Sequence, residues 1–214
     1  MLKFISNKKA VMGLTLSHIG LFIATGIIVS AVFSFIYLND YNKKAELDNL
    51  GNSFKVLVEA IDTKFFENQT KFFFQDLDYD YKVFVSTEYI TVESNGNWNN
   101  ILSSKTSFLK KSLIRHNEPL WKSADEFHNH LFVNFECYGN KSCPINLTKI
   151  DDVKEYIDSE KFHANYFYSK NPFKLNLNKP VLVEKAYVFY DINGNNYWEK
   201  NIDEKDELIL IYQK

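Results

Sequence analysis

An uninterrupted apolar run from Ala10 to Leu38 constrains this chain more than any other feature of its sequence. The run contains about 29 residues, none of them Asp, Glu, Lys or Arg, and as a helix it would measure roughly 43 Å. That length exceeds the ~30 Å hydrocarbon layer of a bilayer, and a helix satisfies its own backbone hydrogen bonds there. The sequence therefore predicts a single transmembrane helix over residues 10–38.

A cleaved secretory signal is the alternative interpretation of the same run. Val29, Ser30 and Ala31 resemble the small-residue site at which a signal peptide is cut. The apolar stretch nevertheless continues through Ile36 to Leu38, and it is much longer than the ~7–15 residues of a signal-peptide core. We therefore expect the helix to be retained as a membrane anchor.

The charges that flank the run predict its orientation. Lys3, Lys8 and Lys9 precede it without any acid, whereas residues 39–48 carry both signs. An excess of lysine marks the cytoplasmic side of a membrane helix. We expect a cytoplasmic leader at residues 1–9 and a C-terminal domain outside the cell membrane.

Two kinds of motif agree with an exterior domain. The only cysteines, Cys137 and Cys143, are close enough in the chain to form a disulfide, which an oxidising exterior permits; two free thiols are the alternative. Asn68, Asn140 and Asn146 each begin an Asn-x-Ser/Thr sequon, which is glycosylated only outside the cytoplasm. In a chain this rich in Asn, such sequons also arise by chance.

The composition after the apolar run excludes one class of partner. All 27 acidic residues and all but three of the 25 basic residues follow Leu38, which leaves this part with a net charge of about −5. Because it has no basic stripe, nucleic acid is not an expected partner. Residues 67–214 are long enough to bury one core, so we treat them as one extracytoplasmic domain.

A second helical pattern follows the apolar run directly. Across residues 39–66, apolar side chains recur every three or four positions and share one helix face: Leu47, Leu50, Phe54, Leu57, Ile61 and Phe65. No strong breaker separates the two patterns, so they predict one continuous rod whose second half packs on the domain. A coiled-coil dimer is the alternative, which we favour less because there are fewer than four heptads.

Small residues line two sides of the apolar run. Gly13, Ser17, Gly20 and Ala24 fall on one side, and Gly26, Ser30 and Ser34 fall on another. Small residues at this spacing let helices approach closely in lipid, so other membrane helices are candidate partners besides the bilayer. We expect His18, near the cytoplasmic end, to form a hydrogen bond at the interface.

The rest of the sequence indicates mainly β structure. Alternating branched or aromatic and polar residues predict strands at 82–87, 88–93, 181–190 and 208–212. Asn95-Gly96 and Asn193-Gly194 provide turns. Asp151 or Asp152 can cap a short helix that continues to Ile157. The fold class predicted is α+β: a long N-terminal transmembrane and amphipathic helix, then a mostly antiparallel β domain with one or two short helices.

The N-terminal architecture resembles that of archaeal type IV pilin-like proteins. The Lys-rich leader, the small residue at the Lys9-Ala10 boundary, the apolar helix that becomes amphipathic and the β-rich domain carry the likeness. The stretch 13–31 is also similar to the anchors of archaellum accessory subunits. The resemblance covers about the first 65 residues and implies cleavage after Ala10. Ala10 replaces the family's Gly, and Thr15 its acidic or amide residue, which favours an anchored relative that does not polymerise.

Residues 191–199 contain a candidate calcium loop. Asp191, Asn193 and Asn195 alternate in a tight turn, so that their oxygen atoms could converge on Ca²⁺. The segment resembles the calcium loops of extracellular proteins, although Asn196 replaces a glycine and Ile202 stands where a bidentate acid is expected. A hairpin turn without metal is the alternative, and it is the one we favour.

Other signals of chemistry are weaker. In a strand, His128 and His130 would face the same side, as a zinc site requires, but surface histidines are the default. The sequence contains no Gly-x-Ser-x-Gly elbow, P-loop, dinucleotide fingerprint or His-Glu-x-x-His helix, so we do not expect an enzyme.

Two classes of function remain. The first is a structural or accessory surface component of pilin-like type, with surface-filament subunits as candidate partners. The alternative is a membrane-tethered ligand-binding or sensory domain that acts through a partner. In that case aromatic residues would line a pocket, the candidates being Trp98, Trp121, Trp198 and Tyr212.

Overall fold

The computed structural model describes residues 2–97, 100–115, 120–200 and 202–214. A single helix of 61 residues, α1 (Leu2–Asp62), begins the chain. It passes from the apolar run into the amphipathic segment without a break, which confirms the continuous rod. At ~1.5 Å per residue it is roughly 92 Å long.

The described residues after α1 form two sheets. In spatial order, the first contains β1 (Asn68–Phe72), β8 (Val181–Asp191), β9 (Lys205–Tyr212) and β5 (Leu113–Arg115), with β6 (Ile145–Asn146) also paired to β8. The second contains β4 (Ile101–Ser107), β3 (Tyr89–Asn95), β2 (Tyr81–Val85) and β7 (Phe173–Lys174). Strand pairs are antiparallel except β5 with β9 and β6 with β8.

Two further helices complete the α+β fold that the sequence predicts. They are α2 (Ala124–Phe135) and α3 (Ile150–Lys170), the latter preceded by a 3₁₀ turn at Leu147–Lys149. The expected helix that starts near Asp151 is present, but it continues 13 residues past Ile157. Its buried face extends as far as Ala164, which explains the greater length.

The second half of α1 forms the centre of the first core. Its buried side chains follow helical spacing and are Leu47, Leu50, Phe54, Val58 and Ile61. They pack against both sheets, for example against Val92 of β3 and Val183 of β8. Core packing therefore replaces the coiled-coil alternative for this stripe.

The expected helix over residues 39–66 ends earlier, at Asp62. Phe65, which was placed on the buried stripe, lies beyond the helix and is 92% exposed. The chain turns here because it must reach β1 at Asn68 within a few residues.

A second core lies on the opposite face of the first sheet. Strand β8 is buried along its whole length because successive residues face different cores. Val181 and Val183 face α1, whereas Leu182 and Val188 pack with residues of α2 and α3 such as Phe127 and Val153. The first sheet is thus covered on both sides, which gives the domain a rigid centre.

Candidate functional site

The exposed half of α1 is the most unusual surface of the molecule. Between Leu16 and Leu38 the apolar side chains are exposed except for the half-buried Ile36, and Phe22 and Phe35 are about three-quarters exposed. This helix is long and apolar enough to cross a membrane. A soluble core helix can have the same composition, but no residue of this apolar window is buried within the described structure.

The small-residue sides of the exposed segment are open. Apart from its chain neighbours and the backbone of α1 itself, a Cβ atom placed on Gly20 or on Gly26 would meet no atom of the described residues within 4 Å. Thr25 Oγ1 donates to the carbonyl of Leu21 at 2.8 Å, so this hydroxyl is satisfied within the helix. These surfaces are therefore accessible to another helix, as the spacing predicts, and their contact with one stays a prediction.

Strand β4 runs alongside α1 from the end of the apolar run to the end of the helix. At one end, Asn97 Nδ2 donates to Asp40 Oδ1 at 2.7 Å, and its backbone N–H donates to the same oxygen at 3.1 Å. A Cβ atom on Gly51 would lie only 2.9 Å from Thr106 Oγ1, so the helix and β4 approach closely. At the far end, Lys110 Nζ lies 3.0 Å from Asp62 Oδ1.

A buried lysine holds the C-terminus of α1. Lys185 of β8 is 2% exposed, and its Nζ donates to the carbonyls of Asp62 and Lys64 and lies 3.1 Å from Glu207 Oε2. A cation at this place complements the negative end of the helix dipole. Burial opposes the charge, yet hydrogen bonds with Tyr187 and Glu207 raise the pKa of Lys185 above its usual value.

Three lysines surround the acid that pairs with Lys185. Burial alone would raise the pKa of Glu207, but hydrogen bonds from Lys205, Lys185 and Lys110 lower it to about 2. Lys110 also pairs with Asp62. It therefore links the last residue of α1 to Glu207 of β9 through two ion pairs. Glu207 is therefore ionised at any physiological pH.

The histidines expected to share a strand face lie instead on helix α2, where residues two apart point in different directions. His128 is buried, with Nε2 2.9 Å from Glu67 Oε1 and Nδ1 2.7 Å from the Tyr138 carbonyl. His130 stacks on Tyr156. The two rings therefore do not share a strand face, and His128 is buried instead of lying at the surface as expected. Among the described residues, no three His, Cys, Asp or Glu side chains are grouped to hold a metal ion.

The ion pair between His128 and Glu67 ties α2 to the segment after α1. Burial would lower the pKa of His128, but the hydrogen bonds with Glu67 and the Tyr138 carbonyl raise it. Burial likewise opposes ionisation of Glu67, whereas the bond and charge of His128 lower its pKa overall. Both ring nitrogens face acceptors, so the imidazolium is the form that this site satisfies.

The candidate calcium loop connects β8 to β9 and is organised by its own backbone. Asp191 is fully buried, and its carboxylate accepts from the backbone N–H groups of Gly194, Asn195 and Asn196 at 2.7–3.2 Å. Asn193 Oδ1 accepts from Asn195 N–H at 3.0 Å. These side chains are satisfied without an ion, as in a metal-free hairpin turn. Calcium binding at Asp191, Asn193 and Asn195 stays a prediction.

Asp203 has a role in this loop that the sequence analysis does not assign to it. Asp203 follows the position where a bidentate ligand was expected, and it is 9% exposed. Its carboxylate accepts from Ile192 N–H at 2.9 Å and from Glu199 N–H at 2.6 Å, which closes the base of the loop.

The two cysteines are placed side by side. Cys137 Sγ lies 2.7 Å from Cys143 Sγ, within a short loop between α2 and β6. Both residues are free thiols in this structure, and burial together with the neighbouring sulfur raises the pKa of Cys137 to about 12. A thiolate is therefore disfavoured there. The disulfide stays a prediction that intact mass under non-reducing conditions would test.

The three sequon asparagines differ in accessibility. Asn146 is exposed, and its Oδ1 accepts from Thr148 N–H at 3.2 Å. Asn140 is half-buried, and its Oδ1 accepts from the N–H groups of Ser142 and Cys143. Asn68 is half-buried in β1. Asn146 is the best placed of the three to carry a glycan.

The aromatic residues proposed for a pocket are scattered. Trp121 and Tyr212 are buried in the second core, and Trp198 packs edge-on against Phe189 at 4.8 Å. Trp98 lies outside the described residues. The structure has a groove of about 640 Å³ elsewhere, lined by residues of both charges and by aliphatic side chains, among them Asp80, Lys82, Glu93, Lys174, Ile101 and Leu177.

Comparison with known proteins identifies no relative. No protein-family model matches the sequence, and neither a curated protein nor a solved structure matches it. The function therefore has to be inferred from the residues of the chain itself.

Proposed function

We propose that this chain is a single-pass membrane-anchored surface protein. Residues 10–38 span the cell membrane, residues 1–9 are cytoplasmic, and the rest of α1 carries the β-rich domain on the outer face. One observation carries this proposal: the apolar half of α1 is uncovered, while the half that continues it is the core of the domain.

The free energy of exposure supports the anchor. Burying a large apolar side chain contributes about 1.5–3 kcal/mol of free energy, and a side chain left in water lacks this contribution. The exposed segment contains many of them, including Phe22, Ile27 and Phe33. A signal cleaved near Ala31 would still leave Val32, Phe33 and Phe35 at the new N-terminus in water. A bilayer covers the whole segment at once.

Two features support a pilin-like structural or accessory role. The protruding apolar half and the packed amphipathic half of α1 have the arrangement that the resemblance implies. The open small-residue sides allow another membrane helix, or a surface-filament subunit, to pack against the anchor. No enzymatic activity is part of the proposal.

Lysine substitutions within the span test the anchor. Replacing both Ile23 and Ile27 by Lys costs about 5–7 kcal/mol at the centre of a membrane helix. We expect this variant to be released by alkaline washing, whereas the parent stays with the membrane. Phe162→Lys is the matched control, because Phe162 and Ile27 are both 65% exposed. Release of the parent itself would contradict the anchor.

Protease treatment of intact cells tests the orientation. We expect an added protease to remove the domain from the outside and to leave a membrane-embedded N-terminal fragment. Protection of the C-terminus in intact cells, with cleavage only after lysis, would contradict an exterior domain.

Bulky residues in the small-residue side test lateral assembly. Gly20→Leu with Ala24→Leu should reduce the complexes recovered after mild crosslinking, because leucine holds helix backbones apart. Phe22→Leu with Val29→Leu changes the opposite side and should leave these complexes intact. Equal recovery from both double variants would count against assembly through this side.

The groove on the second sheet favours the alternative function. A ligand-binding domain tethered to the membrane would use this space of about 640 Å³, whose lining mixes Lys82 and Lys174 with Asp80 and Glu93. Native mass spectrometry of the protein purified from cells would detect a bound small molecule as an added mass. Lys82→Glu with Lys174→Glu should then abolish the extra mass, and the unoccupied mass alone would favour the structural role.

A further inference from the structure

We propose that the tip of the β3–β4 hairpin rests in the outer headgroup layer of the membrane and fixes the orientation of the domain. The hairpin tip is defined here as Gly96, Asn97, Asn100 and Ile101. Its contact with Asp40 holds it beside α1. This inference rests on the proposed transmembrane span and adds a second membrane contact to it.

The first support is the height of the tip along α1. Asn97 Nδ2 lies 3.5 Å from the carbonyl oxygen of Ile36 and 2.7 Å from Asp40 Oδ1. Leu38 ends the apolar run, and Ile36 and Asp40 lie about 3 Å to either side of it along the helix axis. A headgroup layer is roughly 5–8 Å thick, so the tip falls within it.

The second support is the chemistry at the same height. Tyr37 and Tyr41 are 73% and 63% exposed and share one side of the helix. Tyrosine is enriched where a membrane helix meets water, which independently places the interface here. Ile101, which pairs with Asn95 at the same end of the hairpin, adds an aliphatic side chain that is 71% exposed. This mixture of apolar and hydrogen-bonding groups suits the headgroup boundary.

The third support is the rigidity of the connection. Helix α1 continues unbroken through the boundary, and β4 lies along it from the Asp40 contact, past Gly51, to the ion pair of Lys110 with Asp62. The domain cannot swing away from the bilayer without breaking these contacts. The depth of the tip is therefore set by the depth of the span.

Photo-crosslinking to lipid tests the proposal in the full chain within phosphatidylcholine vesicles. A benzoylphenylalanine side chain would replace Ile101 in one sample and Leu109 in another. Leu109 is the matched control, since it is 84% exposed and follows the far end of β4, a strand that extends about 20 Å from Ile101. A third sample carries the photo-crosslinker at Tyr37 and reports on the span. The readout is a peptide whose mass has increased by that of one lipid.

We expect lipid adducts at 37 and 101 and none at 109. Asp40→Ala removes the contact nearest the tip but leaves those at Gly51 and Asp62, so it should weaken the adduct at 101 and retain the one at 37. Adducts at 37 without any at 101 would contradict a tip in the headgroup layer, and so would equal labelling at 101 and 109. Both results would leave the membrane span unaffected. Labelling at 101 that Asp40→Ala does not change would show that the contact between Asn97 and Asp40 does not hold the tip at this depth. Loss of the adduct at 37 would overturn the span and this inference together.

Discussion

At the scale of single residues, the contact that joins α1 to the domain depends on charges placed inside an apolar strand. Glu184 and Lys185 interrupt the run of β8, yet both are buried and both have partners. Glu184 Oε2 accepts from Ala124 N–H at 3.0 Å, at the start of α2, and from the Tyr212 hydroxyl at 2.8 Å. Glu184 and Lys185 thus lie on opposite faces of the sheet: Glu184 contacts the start of α2, and Lys185 contacts the end of α1.

Lys185→Met should destabilise the domain by about 2–4 kcal/mol. The substitution keeps the aliphatic stem but leaves the carbonyl of Asp62 without its buried donor and removes one cation from Glu207, whereas the carbonyl of Lys64 keeps the Tyr187 hydroxyl. Chemical denaturation would measure the loss. Lys205→Met is the control, since Lys205 also pairs with Glu207 at 2.9 Å but is more exposed, and it should cost below about 1 kcal/mol. Equal losses would argue against a special role for Lys185.

The ion pair between His128 and Glu67 should make stability depend on pH. The pKa of His128 is raised from 6.5, so its contribution is full below 6.5 and is lost as pH rises through the folded value. The pKa of Glu67 is lowered from 4.5, so its contribution is full above 4.5 and is lost as pH falls. We expect the pair to contribute most between these two values.

Thermal unfolding across this range would measure the effect. His128→Gln should lower the midpoint most at mildly acidic pH, and the difference from the parent should shrink as the solution becomes alkaline. His163→Gln, which changes an exposed histidine of α3, should follow the parent at every pH. A constant difference between His128→Gln and the parent would show that lost packing, rather than charge, is responsible.

The roles of Lys185 and His128 could not be predicted from the sequence, because periodicity shows which face a residue lies on but not which distant residue it contacts. A charged residue inside an apolar strand indicates a buried site only when its partner is known, and Asp62 and Glu207 are both distant from Lys185 in the chain. His128 was misplaced for a related reason: its role follows from Glu67, which belongs to a different element. Asp191, in contrast, was recognised because its partners are its immediate neighbours.

At the scale of elements, the sequence predicts those helices and strands that local patterns determine. The apolar stripe of α1 and the β8–β9 hairpin follow from spacing of three and four, from alternation and from Asn193-Gly194. Helix α2 was missed, because its sequence is rich in aromatic residues and contains two histidines. A signal was present, however: Ser123 Oγ accepts from Glu126 N–H at 3.3 Å, the Ser-x-x-Glu arrangement of a helix start.

The packing of α1 on β4 depends on a glycine. Gly51→Leu should destabilise the domain by about 1–3 kcal/mol, because even its Cβ would lie 2.9 Å from Thr106 Oγ1 and the larger side chain would separate helix from sheet. Denaturant titration would measure this loss. The neighbouring exposed Asn52→Leu changes helix propensity without this contact and should alter stability little. Equal effects of the two would contradict close packing at Gly51.

At the scale of the whole molecule, one helix serves two environments. Its first half has the composition of a membrane segment, and its second half supplies five buried side chains to the first core. The domain is therefore not an independent unit joined to a stalk, because the second half of the same helix is also its central element. A boundary placed at residue 67 on the basis of sequence separates the domain from part of its own core.

Truncation tests this shared architecture. A fragment of residues 39–214 retains Leu47, Phe54 and Ile61, so we expect it to be monomeric in water and to unfold cooperatively. A fragment of residues 67–214 lacks the five buried side chains of α1, which together account for about 8–15 kcal/mol of burial, as much as the whole stability of a typical domain. We expect it to lack cooperative unfolding. Circular dichroism during heating would distinguish the two, and a cooperative transition of the shorter fragment at the temperature of the longer one would show that α1 only tethers the domain.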